Sequence, residues 1–283
     1  MTLSIIILSY RNPALLRLCL KSLARVLSQT SLAYEVIIVD NATSPETANV
    51  VHSDFAGVFP ALKLIPLRRN SGYTFGVNEG IRAAQGEYIL SLNQDIVLES
   101  GVIEQLIEYL RKHPEVGMVG PRLLNFDDSR QDSCFRFYTP LTVIARRFPL
   151  PFSKAIVNRF LIRDAEFDGP TPVDWVSGAA FMTTRRAIDR VGLMDERLFH
   201  YFSDVDWAWR FWENGLAVMY YPMGSLYHYL GRTSKGRSAL IDLITNHATR
   251  WHIIDAIRYF RKHGISGNRP ACSGPIQPEL LDA

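Results

Sequence analysis

Asp95 offers this chain's most direct route to chemistry. It stands at the polar end of Gly86-Glu87-Tyr88-Ile89-Leu90-Ser91-Leu92-Asn93-Gln94-Asp95, in which Tyr88, Ile89, Leu90 and Leu92 make a short apolar run typical of a buried strand. A carboxylate at the C-terminal edge of such a strand lies where open α/β sheets bind their ligands. As a hard oxygen donor it can hold a divalent metal that in turn holds a diphosphate. Asp40 closes a second apolar run, Tyr34 to Val39, and can accept hydrogen bonds from a base or ribose. The segment Asn70-Ser71-Gly72-Tyr73-Thr74-Phe75-Gly76 reads as a glycine-containing loop whose backbone amides can approach phosphate or ribose. Taken singly, an Asp at a strand end is more often a helix cap or turn residue than a ligand. The ordered recurrence of such ends favours a nucleoside diphosphate site. Neither a GxGxxG fingerprint nor a Walker A loop is present, which counts against dinucleotide oxidoreductases and P-loop NTPases.

The elements that must position these groups alternate between two periods. Leu3 to Leu8 is a near-continuous apolar strand, followed by the turn Ser9-Tyr10-Arg11-Asn12-Pro13. Pro13 suits the first turn of a helix, with Leu15, Leu16, Leu18, Leu20 and Leu23 as its buried stripe. After the strand ending at Asp40, Ser44-Pro45-Glu46 opens a second helix with Ser44 as its N-cap. Leu62 to Leu67 is a third strand, Val77 to Ala84 resumes helical spacing, and the strand leading to Asp95 is the fourth. Repeated strand–helix alternation predicts an α/β fold: a mostly parallel central sheet with helices on both faces.

Composition sets the outer limits. The 283 residues can bury a substantial core, and 47% apolar with 21% charged residues fits a globular protein. A net charge of +3 gives no argument for nucleic acid. Cys19, Cys134 and Cys272 show neither metal-ligand spacing nor a disulfide framework, and Cys19 falls on an apolar helical face. A reducing, cytoplasmic compartment is expected. The apolar start at Leu3 is too short for a signal peptide or a membrane span.

Ser4-Ile5-Ile6-Ile7-Leu8-Ser9-Tyr10-Arg11-Asn12, Ile37-Ile38-Val39-Asp40-Asn41, Asn70 through Gly80 and Leu92-Asn93-Gln94-Asp95 occur in the order seen in family-2 glycosyltransferases of the GT-A fold. The chain resembles that family, with the strongest likeness to bacterial rhamnosyltransferases that build cell-surface polysaccharides. Val116 to Leu123, Val173 to Ala180 and Phe202 to Trp207 extend the likeness, so that it covers roughly residues 2 to 235. The resemblance implies a GT-A (nucleotide-diphospho-sugar transferase) domain over residues 1–237, with a donor-binding half to 98 and an acceptor-binding half after it. It implies an inverting, metal-assisted transferase moving L-rhamnose from dTDP-L-rhamnose onto a glycan held by a polyprenyl-diphosphate lipid. Ser9, Tyr10, Asn12, Asp40, Asn70, Gly72, Gly76, Asn78, Asn93 and Gln94 then line the donor. Asp95 becomes the metal-binding Asp of the family's DxD motif, with Asn93 where many relatives carry the first Asp. His228 is implied near the metal or diphosphate, and its imidazole suits Mn²⁺ better than Mg²⁺. Trp175, Ser177, Gly178 and Ser203 are implied in the sugar and acceptor pocket, although Trp175 reads equally as a packing residue.

Asp204 matches the Asp of the family's Glu-Asp motif, with Ser203 in place of Glu. It is expected to be the general base, ahead of Asp206; the plainer alternative makes Ser203 and Asp204 a helix cap. A UDP-hexose or UDP-galactofuranose donor stays open, because donor choice lies in pocket shape. So does a non-catalytic nucleotide- or glycan-binding module, since fold does not fix function. A glycoside hydrolase would need two carboxylates flanking the bond and no nucleotide site.

Between Cys134 and Arg163 no acidic residue occurs, while arginines and Lys154 interleave with Phe135, Phe137, Tyr138, Phe148, Phe152 and Phe160. This suits a peripheral contact with anionic headgroups at the inner membrane face, or an insertion with apolar anchors in the core. Arg232, Lys235 and Arg237 read as a phosphate-closing lid or as an ordinary solvated loop. Ile241 to Lys262 reads as an amphipathic helix within a 238–263 extension that could dock on the domain, pair two subunits as a homodimer or touch membrane. The remainder, 264–283, is expected to be disordered.

Overall fold

The computed structural model describes residues 1–28, 30–147, 151–163, 165–229 and 246–270. Its first half is built as the apolar runs require. Strand β1 (Leu3–Ser9) is buried along its whole length and lies parallel to β2 (Tyr34–Asn41), which pairs in turn with β3 (Leu62–Leu67). Strand β4 (Tyr88–Asn93) returns to the other side of β1, also parallel. The reversal of strand order between β1 and β4 creates a crevice beyond their C-terminal ends, where α/β sheets place ligands. Ser9 and Tyr10 leave one side of that crevice, and Asn93, Gln94 and Asp95 leave the other.

The helices between these strands follow their local chemistry. Helix α1 (Pro13–Leu27) starts on Asn12, whose Oδ1 accepts from Leu15 N at 3.1 Å, and has Pro13 in its first turn. Its buried stripe is Leu16, Cys19, Leu20, Leu23 and Leu27, at i, i+3, i+4, i+7 and i+11. Leu18, expected in that stripe, is 42% exposed because it falls on the opposite side of the helix. Ser44 caps α2 (Pro45–Asn49), accepting from Thr47 N at 3.2 Å. Helix α3 spans Tyr73–Ala83, beginning four residues earlier than the apolar spacing suggested.

The second half lets antiparallel β10 (Ala180–Thr184) into the centre of the sheet. With β5 (Ile96–Leu98), β6 (Val116–Leu124) and β11 (Ala217–His228), and α4 (Val102–Lys112) between the first two, the order becomes β3-β2-β1-β4-β10-β6-β11-β5. Strand β11 (Ala217–His228) runs parallel to β6 and has a register shift between Tyr221 and Ser225. Its far end pairs with β5, and the register His228–Ile96 brings His228 next to Asp95. A short ribbon, β7 (Cys134–Phe135) with β9 (Trp175–Val176), carries helices α5 (Pro140–Arg147) and α6 (Ser153–Phe160) outside the sheet, and β8 (Thr171–Pro172) joins β11. Helix α7 (Arg185–Val191) follows β10, and α8 (Ser203–Glu213) precedes β11.

In the basic–aromatic stretch, Phe135, Phe137, Tyr138 and Phe160 are buried, while Leu141, Ile144 and Phe152 face outward; Phe148 lies outside the described residues. The C-terminal helix α9 (His247–His263) docks on the main domain. Trp251 stacks on Phe199 at 4.2 Å, Tyr259 is buried, and buried Asp255 accepts the backbone N–H groups of Phe199, His200 and Tyr201 at 3.0–3.2 Å. Residues 264–270, expected to be disordered, lie against the domain: Arg269 meets Asp174 at 2.6 Å and covers the Trp212 ring at 4.4 Å. Arg232, Lys235, Arg237, the 241–245 start of the expected helix and Cys272 lie outside the described residues. Among the described residues no helix is long and apolar enough to cross a membrane.

Candidate active site

At the crevice, Gln94 joins the two strand ends. Its Oε1 accepts from Ser9 Oγ at 2.9 Å and from Tyr10 N at 3.2 Å, and its Nε2 donates to the Tyr10 carbonyl at 2.8 Å. Asn93 continues β4 into the β10 side, donating its N–H to the Ala179 carbonyl at 2.8 Å. Asp40 is fully buried, yet only Oδ2 is engaged, by Ser44 N at 3.1 Å; Oδ1 has no hydrogen-bond partner. A buried carboxylate oxygen left in this state calls for a donor group from elsewhere, which fits a base or ribose.

The 70–72 loop is held in shape by Asn41. Its amide bonds Asn70 Oδ1 at 3.1 Å, the Gly72 carbonyl at 3.1 Å and Ser71 N at 2.7 Å, while Asn70 Oδ1 also accepts from Gly72 N. Gly72 has φ +93°, and a Cβ there would lie 2.3 Å from the Phe199 carbonyl oxygen, so only glycine fits. Three expected donor contacts have other uses. Gly76 lies inside α3, where a Cβ would meet Leu8 Cδ1 at 2.4 Å, so it serves close helix–strand packing. Asn78 is buried with its amide committed to Met194 N, Met194 O and Glu196 Oε1 at 2.9–3.1 Å. Asn12 is the helix cap described above.

Asp95 and His228 form the sharpest feature. His228 Nε2 lies 3.4 Å from Asp95 Oδ1, and that oxygen is buried without a hydrogen-bond partner. Two ligands at right angles on one ion, with bonds of about 2.1 Å, stand about 3 Å apart. The orphaned oxygen and the facing imidazole therefore suit a divalent cation. Among the described residues no third His, Cys, Asp or Glu joins them, which leaves further positions to ligand oxygens and water.

Across the crevice, the first turn of α8 presents Asp204. Phe202, at φ +62°, turns the chain into this helix, and neither Phe202 nor Ser203 makes a side-chain cap. Asp204 Oδ2 accepts from Gly178 N and Oδ1 from Val205 N, both at 3.0 Å. Tyr73 Oη donates to the Gly178 carbonyl at 2.6 Å, so Gly178, through its carbonyl and its N–H, links Tyr73 to Asp204. Burial raises the Asp204 carboxyl above its ordinary value, and the Gly178 and Val205 N–H groups bring it only part of the way back. Burial and the Asp204 charge push the Tyr73 phenol up. Among the described residues Asp204 has no cationic partner within ion-pair distance. Asp206 is its opposite: it is wholly buried against Arg210 at 3.0 Å and Lys262 and His263 at 2.7 Å. Burial alone would raise Asp206, but His263, Arg210 and Lys262 hold it below the usual carboxylate range.

Gly178 belongs to this side: a Cβ there would lie 2.7 Å from Tyr73 Oη and 3.2 Å from Asp204 Oδ2. Ser177 holds the kink, accepting from Ala179 N at 3.3 Å. Trp175 packs rather than lining open space; it is 6% exposed, stacks on Phe135 at 4.1 Å and donates Nε1–H to the Arg136 carbonyl. Ser203 Oγ is buried without a partner. Tyr73 and Gln131, which hydrogen-bonds His228 Nδ1 at 2.9 Å, were not among the expected site residues. Tyr73 stood inside the recognised loop segment and could have been found there; Gln131 belongs to no motif.

Comparison with known proteins bears on the family and the fold. The chain is 26% identical over 246 residues, 81% of its own length and 78% of the relative's, to an N-acetylglucosaminyl-diphospho-decaprenol L-rhamnosyltransferase of Mycobacterium tuberculosis. It is 26% identical to rhamnosyltransferase WbbL of Escherichia coli, covering 68% of this chain and 69% of that one. Among solved structures, GalNAc-T7 with UDP, GalNAc and Mn²⁺ aligns with TM-score 0.61 at 15% identity; the match covers 81% of this chain but only 44% of that one. The mannosyltransferase PcManGT of Pyrobaculum calidifontis, with GDP-Man and Mn²⁺, aligns with TM-score 0.58 at 17% identity over 95% of this chain and 65% of that one. At those identities the two structures establish a shared GT-A-like fold. Residues 4–183, well over half of the chain, match the Glycosyl transferase family 2 model, and the chain belongs to that family as a glycosyltransferase.

Proposed function

We propose that this glycosyltransferase moves L-rhamnose from dTDP-L-rhamnose, with inversion at the anomeric carbon, onto a hydroxyl of a glycan carried by a polyprenyl diphosphate. The observation that carries the mechanism is the contrast between two carboxylates. Asp95 Oδ1 faces His228 Nε2 as a cation-seeking pair, while Asp204 carries no cation and is raised toward proton-accepting strength by burial. The rhamnosyl donor and lipid-linked acceptor are supported by the rhamnosyltransferase relatives.

Each residue then has a physical task. Asp40 Oδ1, buried and unpaired, takes a hydrogen bond from the base or ribose. Gln94 keeps the Ser9–Tyr10 turn against the strand end that bears Asp95. A divalent ion held by Asp95 and His228 would neutralise the departing diphosphate, with the imidazole favouring Mn²⁺. Asp204, oriented by Gly178 N, accepts the proton of the acceptor hydroxyl as it attacks. Asp206 cannot do this, because Arg210, Lys262 and His263 already engage it. An acceptor on a lipid also gives outward Leu141, Ile144 and Phe152 a use as peripheral anchors at a membrane surface.

A thermal-shift screen of dTDP, UDP and GDP, each with Mn²⁺, Mg²⁺ or EDTA, tests the donor, since bound ligand raises the melting temperature by mass action. The largest shift is expected with dTDP and Mn²⁺, and EDTA should abolish it. A UDP preference would overturn the rhamnosyl donor, and no shift with any nucleotide would overturn the nucleotide site.

A further inference from the structure

We infer that Gln131 is a positioning residue: it fixes the tautomer of His228 so that the lone pair of Nε2, rather than a proton, faces Asp95. The inference rests on the pairing of Asp95 and His228 as the metal-binding pair. Gln131 is 5% exposed, and nearly all of its amide's hydrogen-bonding capacity is used. Nε2 donates to the His228 carbonyl at 2.7 Å, to Asn125 Oδ1 at 2.8 Å and, at a longer 3.4 Å, toward the Leu124 carbonyl. Two of those three are main-chain carbonyls, which can only accept. Turning the amide over would set its oxygen against them, so the NH₂ end is assigned by the backbone. Gln131 Oε1 must then be the atom 2.9 Å from His228 Nδ1, and an amide oxygen can only accept.

Nδ1 therefore carries the hydrogen in the neutral imidazole, and Nε2 is left as a bare nitrogen 3.4 Å from Asp95 Oδ1. Two acceptors face each other across that gap, and the carboxylate oxygen has no other partner. A cation answers both lone pairs at once. The opposite tautomer would answer the carboxylate with an N–H and occupy the nitrogen the metal needs. Gln131 also ties the end of β11 to the 125–129 turn, where Asn125 Nδ2 donates to Ser129 Oγ at 2.8 Å. The ring's plane is thus held by the same contacts that choose its tautomer. Partners of this kind on metal-binding histidines raise affinity about 10- to 100-fold.

The direct test is a long-range ¹H–¹⁵N spectrum of the full-length, metal-free protein at a pH where the imidazole is neutral. His228 is assigned there by loss of its signal in His228→Ala. The wild type should show the Nδ1–H form; an Nε2–H form would overturn the inference without recourse to any variant. Gln131→Met, similar in size but without the amide, should shift His228 toward Nε2–H. It should also weaken binding of Mn²⁺ alone, followed by the free-ion electron spin resonance signal, by about 10- to 100-fold. Unchanged tautomer and Mn²⁺ affinity in Gln131→Met would sink the assignment. The spectrum uses no donor, acceptor or turnover, so failure of the transferase mechanism would leave its result intact.

Discussion

At the residue scale, Asp204 and Asp206 show how one helical turn gives two carboxylates opposite surroundings. Asp206 faces inward and collects Arg210, Lys262 and His263, while Asp204 faces the crevice with only backbone donors. Burial without a cation raises the Asp204 carboxyl in the folded state. A folded pKa above the unfolded one favours the protonated fold. That contribution is fully present below about pH 4 and is lost as the pH rises through the folded value. Asp204→Asn removes the titration. The melting temperature of the wild type minus that of Asp204→Asn is therefore expected to fall as the pH rises above about 4. A flat or rising difference would show that the carboxylate is not desolvated.

At the scale of elements, the segment leading into α8 is shaped from two sides. Gly72 approaches the Phe199 carbonyl from the 70–72 loop, and Asp255 of α9 receives the N–H groups of residues 199–201. The C-terminal helix thus helps set the path that delivers Asp204. Asp255→Ala would strip the acceptor from three backbone donors in a buried setting, at about 1–3 kcal/mol for each group left unpaired. The urea midpoint should drop and turnover should fall with it, although Asp255 lies outside the crevice chemistry. An unchanged midpoint would show that these contacts are not maintained in solution. Gly76 and Asn78 are instructive at the same scale. Their place in a loop-like motif suggested ligand contacts, but α3 begins at Tyr73, and inside a helix they face Leu8 and Met194. Two glycines four residues apart do not reveal which one ends the loop; the +93° φ of Gly72 does.

At the scale of the molecule, the first half was legible because apolar runs mark buried strands and their polar ends mark the crevice. Asp95 and Asp40 stand where those runs placed them, and Cys19 packs in the core as its helical face implied. The second half was less legible because its contacts join distant segments. Gln131 acts through main-chain carbonyls and through a histidine 97 residues away, and main-chain carbonyls leave no trace in side-chain identity. The role of α9 likewise depends on backbone donors at 199–201 and on a carboxylate at 206. In the proposed site a cation-seeking pair, Asp95 and His228, and a raised carboxylate, Asp204, are brought together by such distant contacts. The proposed mechanism stands or falls on Asp204 as the base. The most direct measurement is single-turnover transfer by wild type and Asp204→Asn with saturating dTDP-L-rhamnose, Mn²⁺ and a polyprenyl-diphosphate N-acetylglucosamine acceptor, alongside dTDP binding by both proteins. The rate should fall by roughly 10²- to 10⁴-fold in the variant while dTDP binding persists; an equal rate in the two proteins would contradict the account.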